Sequence, residues 1–417
     1  MDQITESITW HHYLEVAEQA SQSARYVDAE KLYQKALSEA KLCQEDTSSE
    51  RADMLGRLGD LYKTQSWFPE ALETYSSMLA LCEEKFGPDS VQAASALSRL
   101  GLVYRAQGKY AEGERFLSRA LDNYTKSGDN SLVVAETMEN LADFYRAHGK
   151  YAQAEPLFQK ALEMRETVMG KEHPSIGSNL TSLALLYHGS GKYQAAEPLY
   201  ARALKIAEEN WGKEHASVAI VLNYQGELYR MMGDYATAEP IYWRALKIRQ
   251  KQLGIDHPST AQSLSNLALL FHLQSKYHQA EPLYQALLDL RIKDWGPSHM
   301  HVAERLNSLA EVLRDQGKFS EAEPLYWRAL TITQENQGPD HPSVTRALRT
   351  LAELYEEQEN FEEADRLYRW GLGLSEKSLG SEHPDVAELM SKYNALQRKM
   401  HLDDEDFDGH EELHQLE

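Results

Sequence analysis

Cysteine is nearly missing from this chain of 417 residues. Its two thiols, Cys43 and Cys82, cannot make a disulfide framework, so a reducing, cytoplasmic setting is expected. Long apolar runs are missing as well. None approaches the roughly 18 residues of a membrane-spanning helix, so no membrane segment is expected. Residues Met1 to Trp10 show neither a basic start nor an apolar stretch, and no secretory leader is expected. Positive charge is scarce: 43 Lys and Arg face 65 Asp and Glu, a net charge of −22. Phosphate backbones are held by excess cations, which argues against DNA or RNA as a ligand. Proline and glycine are few, 13 and 23, and most of them recur at fixed offsets.

Those offsets reveal the organisation. An aromatic followed three residues later by Ala or Gly recurs at Tyr26/Ala29, Phe68/Ala71, Tyr110/Gly113, Tyr151/Ala154, Tyr193/Ala196, Tyr235/Ala238, Tyr277/Ala280, Phe319/Ala322 and Phe361/Ala364. The step is 42 residues throughout, except for 41 between Tyr110 and Tyr151. Each unit reads as two helices. An apolar-periodic stretch such as Leu183-Ala184-Leu185-Leu186-Tyr187 is broken at Gly191-Lys192-Tyr193. A second stretch then places Ala196, Leu199/Tyr200 and Ala203 at helical spacing. Pro156, Pro198, Pro240, Pro282 and Pro324 fall near the start of the second helix, where a lost N–H costs least. Gly170, Gly212, Gly254, Gly296, Gly338 and Gly380 stand where a helix end needs a left-handed residue. His-Pro follows at His173, His257, His341 and His383, its proline suited to the first position of the next helix. Nothing reads as a strand.

The stretches Leu141-Ala142-Asp143-Phe144-Tyr145, Gly149-Lys150-Tyr151, Ala154-Glu155-Pro156-Leu157 and Gly170-Lys171-Glu172-His173-Pro174 resemble the tetratricopeptide repeat. The resemblance is to its long, 42-residue form, found in kinesin light chains and bacterial relatives. It covers residues from about 14 to 384. It implies an all-α superhelical solenoid of about nine hairpins over residues 1–384. A capping helix is expected over 385–401, from the stripe Val386, Leu389, Tyr393, Leu396 and Met400, and an acidic disordered tail over 402–417. No long heptad segment for joining a motor chain is present, so the likeness implies fold and binding mode, not a motor role.

The resemblance further implies a concave groove, lined by the first helices, that takes peptide segments of partner proteins. Eight residues before the landmark Ala or Gly stand Lys63, Arg105, Arg146, His188, Arg230, His272 and Arg314. Such a row suits carboxylates of an acidic partner segment. Equally, Asp60, Asp143, Glu227 and Glu311, three residues earlier, can neutralise Lys63, Arg146, Arg230 and Arg314 within the helix. Leu102, Leu185 and Leu269 replace the acid in other units, which suits a partner with aromatic as well as acidic residues. By the same resemblance, Asn140, Asn223, Asn266 and Asn307 hydrogen-bond the peptide backbone, with solvent-facing helix surface as the alternative. The tail Asp404-Glu405-Asp406-Phe407-Asp408 is loosely of the acidic-aromatic kind, and a solvating tail is its plainer reading.

Catalytic and cofactor chemistry finds little support. His410-Glu411-Glu412-Leu413-His414 spells the zinc-peptidase pattern, but in an acidic segment beside the C-terminus. The link histidines (His173, His215, His257, His299, His341, His383) recur one repeat apart, too far to share an ion, and read as packing. Trp243 and Trp327 hold equivalent places on second helices, as outer contact points or as packing against the next unit. The expectation is a non-enzymatic scaffold or adaptor for protein or peptide partners, with neither cofactor nor metal. A self-assembling structural protein is the alternative, and a zinc peptidase a distant third.

Overall fold

The computed structural model describes residues 10–23, 25–43, 46–128 and 132–413, with side chains as far as Met400. Among these residues there are nineteen helices and no strand. The chain divides into two compact units, Met1–Lys213 and Glu214–Glu417. The first holds α1 (Trp10–Gln22), α2 (Tyr26–Leu42), α3 (Ser48–Thr64), α4 (Phe68–Phe86), α5 (Val91–Ala106), α6 (Tyr110–Ser127), α7 (Leu132–Ala147), α8 (Tyr151–Met169), α9 (Pro174–Gly189) and α10 (Tyr193–Trp211). The second holds α11 (Ala216–Met231), α12 (Tyr235–Leu253), α13 (Pro258–Leu273), α14 (Tyr277–Trp295), α15 (Met300–Asp315), α16 (Phe319–Gln337), α17 (Pro342–Glu357), α18 (Phe361–Leu379) and α19 (Pro384–Leu413). Odd and even helices pair as hairpins, α1·α2 through α17·α18, and each unit is a solenoid of such hairpins.

The turn inside a hairpin is a Schellman motif. In α9–α10 the Lys192 amide donates to Tyr187 O at 2.8 Å and the Gly191 amide to His188 O at 3.0 Å, with Gly191 at φ +75°. Ser66, Ser275 and Glu359 hold that conformation without being glycine, at φ 60°, 56° and 60°. The links between hairpins differ from expectation. Gly170 has φ 86° and ψ 154°, positive in φ but extended in ψ, a region open essentially to glycine alone. The following histidine is the N-cap of the next helix: His173 Nδ1 accepts from the Ser175 amide at 3.3 Å, and His215, His257, His299, His341 and His383 repeat this.

The second helices begin a turn earlier than the sequence suggests, at the aromatic itself. Pro198 is therefore inside α10, five residues past its first, Tyr193, and not in the free first turn. It forgoes a hydrogen bond that helix could have made. Pro156, Pro240, Pro282 and Pro324 stand likewise inside α8, α12, α14 and α16.

Small residues set the hairpin spacing. Ala184, Ala196 and Ala203 are fully buried. Where Gly226 replaces Ala in that register on α11, the Tyr242 ring fills the space; a Cβ there would sit 2.7 Å from Tyr242 Cε1. Tyr75, Tyr200, Tyr242, Tyr326 and Tyr368, each in its own hairpin, are among the large buried side chains of the second helices.

The last helix continues the register of a first helix. Val386, Leu389 and Leu396 are buried against the second unit's core. Gln397 Nε2 donates to Asp365 at 2.6 Å, as Tyr355 Oη does to Glu323 at 2.6 Å one repeat earlier. As a helix α19 runs on to Leu413, past the 401 boundary expected from the apolar stripe and into the segment expected to be disordered. Acidic side chains do not forbid helix, and Glu favours it.

Candidate functional site

First helices lie beside first helices. In the first unit α3 touches α5, α5 touches α7 and α7 touches α9; in the second α11 touches α13. Each unit thus carries a face made of odd-numbered helices, and the expected binding residues all come from them.

The basic row is largely spent on the protein itself. Lys63 Nζ lies 3.4 Å from Asp60, Arg146 donates to Asp143 at 3.0 and 3.2 Å, and Arg230 Nη2 lies 3.8 Å from Glu227, the within-helix pairs foreseen. Arg314 departs from that pattern. It donates to Asp315 at 3.0 Å and reaches Glu357 of α17 at 3.7 Å, leaving Glu311 exposed. Asp315 is shared, since His272 Nε2 of α13 lies 2.7 Å from its other oxygen. Burial works to raise the Asp315 carboxyl, but hydrogen bonds from His272 and Arg314 hold it below the usual carboxylate value. Arg105 crosses the helix boundary too, donating to Asn140 Oδ1 at 3.4 Å and standing 4.0 Å from Asp143. His188 packs edge-on to the Tyr193 ring, 5.9 Å between centroids. Arg230 and Arg314 also lie beside the buried phenols of Tyr242 and Tyr326, which burial pushes well above their usual value.

In the second unit the cations are therefore tucked in, and the acids stand out. Arg230 is 18% exposed against 43% for Glu227; Arg314 is 18% against 48% for Glu357.

The asparagines differ in burial. Asn266 is half-buried and accepts from Gln262 at 2.9 Å, and Asn140 is half-buried against Arg105. Asn307 is also half-buried. Asn223 does not face a groove: it is 6% exposed. Its carbonyl oxygen is placed to accept from Arg249 Nη2 at 2.9 Å and its amide nitrogen to donate to Ser263 Oγ at 3.2 Å. It stands one residue before the register of Asn140 and Asn266, a rotation of about 100° that turns it towards the second helix. Arg249, 7% exposed, also donates to Ser259 O at 2.6 Å and Ser263 Oγ at 2.9 Å.

Several regular contacts escape a reading helix by helix. Glu155 of Glu-Pro accepts from Lys192 at 2.8 Å and from Tyr187 Oη at 2.9 Å, both in the next hairpin. Lys150–Glu114, Lys276–Glu239 and Lys318–Glu281 repeat the lysine half. The signal was the constant spacing, 36 or 37 residues, between that Glu and the turn Lys. In the first unit Glu139 meets Arg165 at 3.0 Å and Asn179; burial pushes its carboxyl up to about 6 although Arg165 opposes this. Trp327 donates to Tyr355 Oη at 3.4 Å, as packing against the next hairpin requires, while Trp243 stays exposed beside Phe271.

The side chains of the His-Glu-x-x-His segment, 410–414, lie outside the described residues. Among the described residues no group of His, Cys, Asp or Glu is gathered as a metal site, and no helix is long and apolar enough to cross a membrane.

Comparison with known proteins decides the family of these two-helix, 42-residue units. The tetratricopeptide repeat family matches residues 50–126, 92–167, 133–209, 217–293 and 302–377. This chain is a tetratricopeptide repeat protein. Similar solved structures include a Podosopora anserina protein described as a kinesin light chain of nearly identical TPR-like repeats (22% identity, 50% of this chain and 98% of that one, TM-score 0.46). The tetratricopeptide chain also resembles a signal-transduction ATPase with numerous domains and a tetratricopeptide repeat sensor from Pyrococcus horikoshii (15% identity, 97% and 55% covered, TM-score 0.62). A third is the apo quorum sensor NprR of B. thuringiensis (18%, 87% and 98%, TM-score 0.57). No curated protein matches the sequence significantly. The repeat family is one of protein–protein interaction and is typically not catalytic.

Proposed function

We propose that this tetratricopeptide repeat protein is an adaptor whose first-helix face takes a peptide segment of a partner protein. The observation that carries the reading is the face of the second unit. Ile220 and Met231 on α11, and Leu269 and Leu273 on α13, are between 37% and 48% exposed on the outward side of helices whose other Val, Leu and Phe residues are buried. Clustered apolar side chains left in water on a repeat protein's first helices mark a contact surface. Half-buried Asn266, one turn before Leu269 and two before Leu273, offers an amide able to hold a peptide backbone.

A displayed library of random 16-residue peptides, selected on the full chain, tests this. Selected peptides should lose at least tenfold in affinity for the double variant Leu269→Glu, Leu273→Glu, whose melting temperature should stay close to wild type because both residues are exposed. Binding unchanged by that variant, or a library that yields no binders, removes the reading.

A further inference from the structure

We infer that the segment taken by the second unit is basic and amphipathic, apolar where it crosses α11 and α13 and rich in Lys or Arg where it crosses α15 and α17. This rests on the adaptor reading above and names the partner's chemistry, which the row of Arg and His in the sequence had suggested to be acidic.

The charges that reach solvent set the sign of a ligand. In the second unit the cations of the row are covered. Arg230 lies against Tyr242, His272 meets Asp315, and Arg314 is held by Asp315 and Glu357. A guanidinium already held by carboxylates and turned against a buried phenol has little left to offer an incoming anion. The carboxylates are what remain outside. On α15 Glu304 and Glu311 are exposed, two turns apart on one side of the helix. Glu311 lacks an ion-pair partner among the described residues, since Arg314 turns away from it. On α17 Glu357 is exposed, while Glu353 is half-buried and already held by Lys392 of α19 at 2.6 Å. Among the described residues of the outward stripes of α11, α13, α15 and α17, Arg346 is the one exposed cation.

The two halves of the face therefore differ in kind. The α11–α13 half is mainly apolar, with Ile220, Met231, Leu269 and Leu273 beside one half-exposed acid, Glu227, and the α15–α17 half is acidic. An extended ligand crossing consecutive first helices meets them in that order. Apolar burial supplies affinity on one side, and complementary charge supplies register and encounter rate on the other. An acidic-aromatic segment would satisfy the first half and be repelled by the second. The chain's own residues 402–417, with eight acids and no Lys or Arg, carry the wrong sign for the same reason.

Two labelled synthetic peptides separate the possibilities by fluorescence anisotropy on the full chain. Both carry the same Leu/Ile-rich first half; one continues with four Lys or Arg, the other with four Asp or Glu. The basic peptide should bind at least tenfold more tightly at 50 mM NaCl, with the gap shrinking at 300 mM as exposed charges are screened. The double variant Glu304→Lys, Glu311→Lys should erase that preference while keeping the wild-type melting temperature. Equal binding of the two peptides, tighter binding of the acidic one, or a preference that survives the double variant each overturns the inference. The library above keeps the two readings apart. Binders that depend on Leu269 and Leu273 but show no Lys or Arg enrichment leave the adaptor reading standing and remove this one.

Discussion

Single residues show where sequence pattern stops being enough. Asn140, Asn223, Asn266 and Asn307 look alike as letters, yet Asn223 is buried against Arg249 and Ser263 while Asn266, and Asn307 in the register of Asn223, stay half-exposed. The difference is set by Arg249 on the neighbouring second helix, 26 positions later, which no local pattern announces. Glu139 shares the register of Asn223 and is likewise turned inward, meeting Arg165 and Asn179. Desolvation holds its carboxyl near 6, above the ordinary 4.5, with Asp143 and Glu136 adding to the rise and Arg165 opposing it. A raised carboxyl means the fold prefers the protonated form, so this stabilisation is full below about pH 4.5 and is lost as pH rises through about 6. Relative to Glu139→Gln, which does not titrate, the wild type should lose up to ~2 kcal/mol between pH 4.5 and 7. Denaturant unfolding of both proteins at several pH values measures this; a difference that stays flat with pH shows that Glu139 does not titrate in this way.

At the level of the helix and its ends, most of the fold was legible, because the 42-residue period carries the turn chemistry with it. The link histidines could be placed as structural, but not as N-caps: His is not a common cap, and only the backbone shows Nδ1 aimed at the amide two residues on. The hairpin turn is the more useful test. Gly108, Gly149, Gly191, Gly233 and Gly317 take positive φ at no steric cost, whereas Ser275 and Glu359 are forced into the same conformation at φ 56° and 60°. Replacing either by Gly relieves about 1 kcal/mol of strain, offset in part by the freer unfolded chain. Ser275→Gly and Glu359→Gly should therefore each stabilise the second unit slightly and raise its melting temperature. The reverse change, Gly233→Ser, should lower it. Calorimetry on the three variants decides the matter, and a melting temperature that falls in the two glycine variants would contradict the strain argument.

For the whole chain, the regular period runs through Lys213 and Glu214 without interruption, so the sequence offers no sign of two units there. Compactness comes from contacts, and contacts between neighbouring hairpins vary while the letters repeat. What the repeat does dictate is that each hairpin leans on its neighbours, with stability summed along the array. The second unit gives that statement a clean test at its end. Val386, Leu389 and Leu396 of α19 are buried, and Lys392, Lys399 and Gln397 donate to Glu353, Glu356 and Asp365 at 2.6, 3.0 and 2.6 Å. Ending the chain after His383 strips three buried aliphatic side chains, each worth roughly 1.5–3 kcal/mol of burial, from the outer side of the last hairpin. Amide exchange in α17 and α18 should then accelerate by two orders of magnitude or more, the effect of ~3 kcal/mol lost from local opening. Protection in α11 to α14, several neighbours away, should hardly change. If exchange instead rises equally from α11 to α18, the unit opens as one cooperative body. The nearest-neighbour account of this solenoid would then have to give way to a single shared core.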